Sequence, residues 1–181
     1  MAAPGTQLRV VGAPGEGRRP FDLEEAFRGH AAYVAGVGLR ILGRGAEVDD
    51  LVQDVFIAAA RGLRALREPA AARAWLRTVA VRLARRRLRA RRLKAFIGFD
   101  DAPSYLDVAD PAASPADRQL LASVYRLLDR LPVSERLAWT LRHVEGEALD
   151  DVAAACGCSL ATAKRRVAAA QQAIEREFDH G

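Results

Sequence analysis

Large apolar residues recur at spacings of three and four along most of this chain. The places where that rhythm fails decide what it can fold into. From Phe21 to Leu93 the period is helical, with no segment alternating as a strand does. Leu23, Phe27, Ala31, Val34, Gly38 and Ile41 fall on one helical face. After a turn around Gly43–Gly45, Leu51, Val52, Val55, Phe56, Ala59, Leu63 and Leu66 form a second stripe. Pro69 ends it, because proline lacks an amide proton and disfavours a helical residue before it. Trp75, Leu76, Val79, Ala80 and Leu83 begin a third stripe. Between residues 96 and 117 the prolines Pro103, Pro111 and Pro115, with aspartates and small residues, erase any period. Periodicity returns from Arg118 with Leu120, Leu121, Val124, Leu127, Leu128 and Leu131, restarts after Pro132 with Leu137, Ala138, Leu141 and Val144, and stops at Gly146. The expected fold is all-α: two small helical domains, residues 21–95 and 118–178, joined by a flexible linker over 96–117. Residues 1–20, rich in glycine and proline, read as a disordered leader.

A length of 181 residues suits two small domains, and a hydrophobic content of 50% supplies cores for both. Arginine or aspartate interrupts every apolar run too early for a membrane span. The start of the chain lacks the apolar stretch of a signal peptide. Cys156 and Cys158 are too few and too close for a disulfide framework, and no second pair of ligands lies at zinc spacing. A reduced, cytoplasmic setting without metal or other cofactor is the expectation.

Charge is strongly segregated. Residues 73–95 carry ten bases and no acid, whereas 96–117 carry five acids and no base, so the net +5 understates the local field. A dense arginine block attracts polyanions, and guanidinium forks suit phosphate oxygens. Beyond Leu83 only Leu88 and Leu93 are large and apolar. The third helix is therefore expected to leave its core and meet solvent or a ligand.

The segment Leu149–Ala168 has helix-turn-helix spacing. Val152 and Cys156 face inward, Ala153 is small where helices approach, and Gly157 stands where the turn wants a left-handed residue. Ser159 is placed to cap the second helix. Thr162, Lys164, Arg165 and Arg166 follow in its first turns, the part that enters a major groove in this motif. Upstream, Asp50, Gln53 and Asp54 share one helical surface opposite Leu51, Val55 and Phe56. No nucleophile–base pair, phosphate-cradling glycine loop or metal cluster is apparent, so enzymatic chemistry has nothing to rest on.

These pieces stand in a familiar order. Asp49–Phe56 resembles the signature helix of region 2 of the sigma-70 family, and Trp75-Leu76-Arg77-Thr78-Val79-Ala80 resembles the start of the helix closing that domain. Ser114-Pro115 resembles the end of the family's linker. Leu131–Arg136, Val144-Glu145-Gly146 and the helix-turn-helix resemble region 4. With no central domain between the halves, the chain is similar to the extracytoplasmic-function (ECF) group of RNA polymerase sigma factors.

The resemblance implies a bacterial promoter-reading subunit. Asp50, Gln53 and Asp54 would dock on the clamp helices of the largest polymerase subunit. Arg67, Arg73, Trp75, Arg77, Arg82, Arg85, Arg86 and Arg89 would hold the −10 element, with the loop around Leu66–Ala72 receiving a flipped base. Ser159, Thr162, Lys164, Arg165 and Arg166 would read the −35 element, and the second domain would also bind the polymerase flap. An anti-sigma factor is an implied further partner. Arg82 and Arg86 stand where the family usually has Asn and Asp, implying stronger and less selective backbone contact. Ala163 and Ala169 replace a usual larger aliphatic and a usual Arg, implying altered −35 readout.

Overall fold

The computed structural model describes residues 23–62, 71–98, 105 and 112–179, so the leader lies outside it, as do Arg67 and most of the base-receiving loop. Every regular element among the described residues is helical: α1 Leu23–Leu42, α2 Val48–Gly62, α3 Ala72–Phe96, α4 Pro115–Arg130, α5 Val133–Trp139, α6 Leu149–Cys156 and α7 Leu160–Asp179. A 3-10 turn at Gly45–Glu47 leads into α2, and α5 runs on into a π-turn at Thr140–Val144.

The first three helices form one bundle around most of the expected stripes, although Leu23 and Phe27, at the start of the first, are exposed. Val34, Val37 and Ile41 of α1 meet Leu51, Val55 and Ala59 of α2 and Leu76, Ala80 and Ala84 of α3, all fully buried. Gly38 lets α1 and α2 approach closely, since a Cβ there would lie 2.7 Å from the Leu51 side chain. At the end of α1, Gly43 takes φ +69° and its amide donates to the Leu39 carbonyl at 2.7 Å, the left-handed helix stop glycine permits.

In the second half, α4 begins at Pro115 with Ser114 as its cap, whose Oγ accepts from the Asp117 amide at 3.1 Å. Proline is well placed at the first helical position, where no amide proton is needed. The helix thus starts earlier than the periodicity from Arg118 indicates. In α5, Trp139 donates from Nε1 to Gln171 of α7 at 2.7 Å.

The two helical units also pack on each other. Leu88 of α3 belongs to the same buried cluster as Leu137, Ala138 and Leu141 and as Val152, Ala153 and Ala163. From the acidic stretch Tyr105, 3% exposed, joins a second cluster with Tyr125, Leu128, Leu131, Ala170 and Ile174. One aromatic gives no period, so the sequence rhythm could not flag it. Its ring stacks on Tyr125 at 5.5 Å, beside Gly43, where a Cβ would come within 3 Å of the Tyr125 ring.

Candidate nucleic-acid interface

The helix-turn-helix is built by local rules. α6 carries Asp150 and Asp151 in its first turn, which suits the helix dipole, and ends in a two-bond glycine stop. The Cys158 amide donates to the Ala153 carbonyl at 3.0 Å, and the Gly157 amide, at φ +63°, donates to Ala154 at 3.2 Å. Ser159 then caps α7, its Oγ accepting from the Thr162 amide at 3.2 Å and donating to Thr162 Oγ1 at 2.9 Å. These two hydroxyls are thereby engaged with each other. Val152, Ala153, Cys156 and Ala163 bury their side chains between the two helices. The small Ala163 is wholly enclosed, so a larger residue would have to displace its neighbours.

This packing orients the basic residues of α7. Lys164 and Arg165 are exposed, whereas Arg166 is half-buried. Leu160, Ala161 and Ala168 are exposed on the same helix, and sequence reasoning passed over them because apolar residues carry no charge signal. Cys158 is half-buried and Cys156 buried. Burial, with the neighbouring Cys158 a second cause, raises the Cys156 thiol to about 11. Among the described residues no group of three or more His, Cys, Asp or Glu is arranged to hold a metal ion.

The arginine block of α3 is divided by its neighbours. Arg82, Arg86 and Arg89 are exposed. Arg73, also exposed, places its guanidinium 4.1 Å above the ring of Tyr33. Trp75 is half-buried against Gly62, where a Cβ would sit 2.6 Å from the indole. Five of the other arginines bond within the fold. Arg87 pairs with Asp54 at 2.6 Å, and Arg91 pairs with Glu47 at 2.7 Å while donating to the Leu42 carbonyl at 2.9 Å. Arg92 donates to the Arg130 carbonyl at 3.0 Å. The candidate DNA contacts Arg77 and Arg85 both face the second half. Arg77, 8% exposed, pairs with Glu147 and lies 3.5 Å from Asp151, and Arg85 donates to the Cys156 carbonyl at 3.3 Å. Burial opposes the charge on Arg77, but the Glu147 hydrogen bond and negative charge outweigh it and raise its pKa. The expectation that α3 leaves its core after Leu83 is thus corrected: Ala84 and Leu88 remain buried.

Asp50, Gln53 and Asp54 are all exposed on α2. Asp50 and Gln53 border an apolar groove floored by Leu23, Phe27, Phe56 and Ile57, whereas Asp54 is turned toward Arg87 of α3. The groove places large apolar area beside acidic rim groups, an arrangement suited to a partner with both apolar and basic side chains.

An all-helical protein with an acidic-rimmed groove, an arginine-rich helix and a capped basic recognition helix is of the transcription-factor class. The Sigma-70 region 2 family model matches residues 26–94, and the Sigma-70, region 4 model matches residues 121–174. The chain belongs to the sigma-70 family, in its extracytoplasmic-function group, and is a sigma factor directing promoter-specific transcription initiation, not an enzyme. It is 28% identical to the RNA polymerase sigma-H factor of Pseudomonas aeruginosa over 88% of this chain and 86% of that one. It is likewise 28% identical to the ECF RNA polymerase sigma-E factor of Escherichia coli K12, over 72% and 73%. The fold resembles that of the sigma factor RpoE in complex with the anti-sigma factor NepR from Bartonella quintana (TM-score 0.65, 19% identity, 87% of this chain and 97% of that one).

Proposed function

We propose that the two halves of this sigma factor divide promoter recognition, with α1–α3 serving core polymerase and the −10 element and α4–α7 serving the −35 element. The observation that carries this reading is α7, whose entering end presents Lys164 and Arg165 to solvent while the cap and Ala163 fix its axis. Arg165 takes a base edge, a guanine, because a guanidinium reaches O6 and N7 together. Lys164 and Arg166 take flanking phosphates, and Leu160 and Ala161 supply apolar contact to thymine methyl groups. Ser159 and Thr162 position the helix end and offer their remaining lone pairs and amides to phosphate.

In the first half, Arg73, Arg82, Arg86 and Arg89 hold the −10 backbone, with Trp75 and Arg67 beside the flipped base. Arg77 and Arg85 join them only when the second half moves away. Asp50 and Gln53, with Asp54, dock the basic clamp helices of the largest subunit, and the second half also contacts the flap. The domain division at 21–95, 96–117 and 118–178 belongs to this reading. An anti-sigma factor is a further partner, supported by the solved relative that carries one. Among the described residues no helix is long and apolar enough to cross a membrane, and we place the protein in the bacterial cytoplasm, where core polymerase resides.

The test is run-off transcription with purified core polymerase on a randomised promoter library. Wild type should select a −10/−35 pair. Asp50→Lys, which breaks no ion pair recorded within the fold, should lose core binding with helicity unchanged. Normal core binding by Asp50→Lys would remove the docking assignment.

A further inference from the structure

A small cavity lies where the turn after α1, the last turns of α3 and the α4–α5 junction meet, and arginines dominate its wall. Arg44, Arg91, Arg92 and Arg136 line it with a single acid, Asp129, and the rest of the lining is apolar. Its volume is about 90 Å³. That is well above the roughly 15 Å³ that admits one water and well below the roughly 300 Å³ of a pocket for a drug-sized ligand. The cavity has the size for a small ion.

The four guanidiniums carry more charge than the fold answers. Arg136, 2% exposed, pairs with Asp129, and Arg91 pairs with Glu47 at 2.7 Å. Arg92 donates to the Arg130 carbonyl at 3.0 Å, a neutral acceptor. Among the described residues, Asp129 and Glu47 are the carboxylates paired with these four cations, so two positive charges are left over. Two nitrogens of the lining residues, Arg91 Nη2 and Arg44 Nε, are buried without a hydrogen-bond partner in the protein. Buried donors are seldom left so, and the cost is greater for a charged group. The cations also oppose one another. Burial lowers the Arg136 pKa, the Asp129 carboxylate resists, and the Arg91 charge lowers it further. A dianion would balance the charge and accept from the unpaired donors together, whereas a neutral molecule would do only the second. Guanidinium forks bind phosphate oxygens in pairs, and the apolar remainder of the wall strengthens such bonds by keeping water away.

We infer that this cavity is a binding site for one phosphate group, held by Arg44, Arg91 and Arg92 with Arg136 behind them. Asp129 does not exclude the anion, because Arg136 already holds its carboxylate. Arg92 and Ala95 are exposed, which gives the anion a way in from the α3 side. The group arrives as free phosphate or as the terminal phosphate of a nucleotide whose remainder stays outside. The site lies apart from Arg82, Arg86 and α7, and it does not depend on the promoter contacts assigned to them. Because it ties three parts of the fold together, occupancy stabilises the folded chain.

The experiment is calorimetric titration of the full chain with sodium phosphate, at an ionic strength held constant with potassium chloride. Wild type should bind one phosphate per chain, saturably. Arg44→Gln and Arg92→Gln should each weaken binding by about tenfold or more, the worth of a charged hydrogen bond. Neither change removes an ion pair recorded within the fold, and circular dichroism checks that the helices persist. Arg82→Gln/Arg86→Gln, exposed on the same helix and outside the cavity, should bind as wild type does. A parallel titration with a nucleoside diphosphate separates the sources: tighter binding than phosphate identifies a nucleotide, and equal or weaker binding identifies the free anion. Phosphate should also raise the thermal unfolding temperature more in wild type than in Arg44→Gln, since its general salting effect acts on both alike. No saturable binding of either ligand, wild-type affinity in Arg44→Gln, or loss of binding in Arg82→Gln/Arg86→Gln would each overturn the site.

Discussion

Arg136 shows how much one side chain can join. It is nearly inaccessible, and its guanidinium satisfies two carbonyls at the end of α1 while pairing with Asp129. Burial pulls its pKa down, and the Asp129 carboxylate opposes that shift. Arg136→Ala should lose about 3–5 kcal/mol, because a carboxylate and two carbonyls are left without their donor. Arg136→Lys should recover only part of this, since an ammonium has no planar fork. Urea unfolding midpoints measure both. Gly43→Ala combines a positive φ with a Cβ pressed on Tyr125, and should lower the midpoint as well. Cys158 should react with a thiol reagent at pH 8 well before Cys156, which is buried and raised to about 11. Burial also raises Tyr125 to about 12. Both groups stay neutral in the fold above the pH at which they ionise in the unfolded chain. Their stabilisation is complete below about pH 9 and is lost as pH rises toward 12, so thermal unfolding temperature should fall across that window.

At the scale of single helices, α3 and α7 place comparable charge in different settings. Arg82 and Arg86 of α3 are exposed. Arg82→Ala or Arg86→Ala should weaken holoenzyme binding across many −10 sequences and reduce the log–log salt slope by about 0.7–0.9. A changed preference at one base would show that they read sequence. On α7, steps of about 100° keep Lys164, Arg165 and Arg166 from sharing one groove floor, and the half-burial of Arg166 separates it further. Arg165→Ala should cost roughly 1–3 kcal/mol on the preferred promoter and relax one position of the −35 element. Lys164→Ala should weaken all promoters alike. Binding-site selection on the two variants checks the assignment.

For the whole molecule, the shared core of α3, α5 and α6 predicts behaviour that two independent domains would not show. A protease cut between Gly98 and Pro115 should leave fragments that co-elute from a sizing column under native conditions and part in urea. Thermal unfolding followed on each half should be coincident, because burial of Leu88 and Leu141 couples them. Fragments that separate at once would mean that the halves are independent in solution.

Much of this protein was determined along the chain itself. Apolar spacings of three and four placed the helices, Gly157 and Ser159 specified the turn and cap of the helix-turn-helix, and Asp50, Gln53, Lys164 and Arg165 are exposed where their periodicity put them. These are local effects, set by backbone sterics and by which face of one helix is apolar. Tertiary structure alone decided the partners of charge. Ten basic groups in one block look alike in sequence, yet Arg77 meets Glu147 and Arg91 meets Glu47, while Arg82 meets water. It also decided that Tyr105, in a stretch without period, is a core residue. A guanidinium can lie against phosphate, carboxylate or a helix end. The choice follows from which distant element the fold brings within hydrogen-bond reach, and no spacing along the chain encodes that.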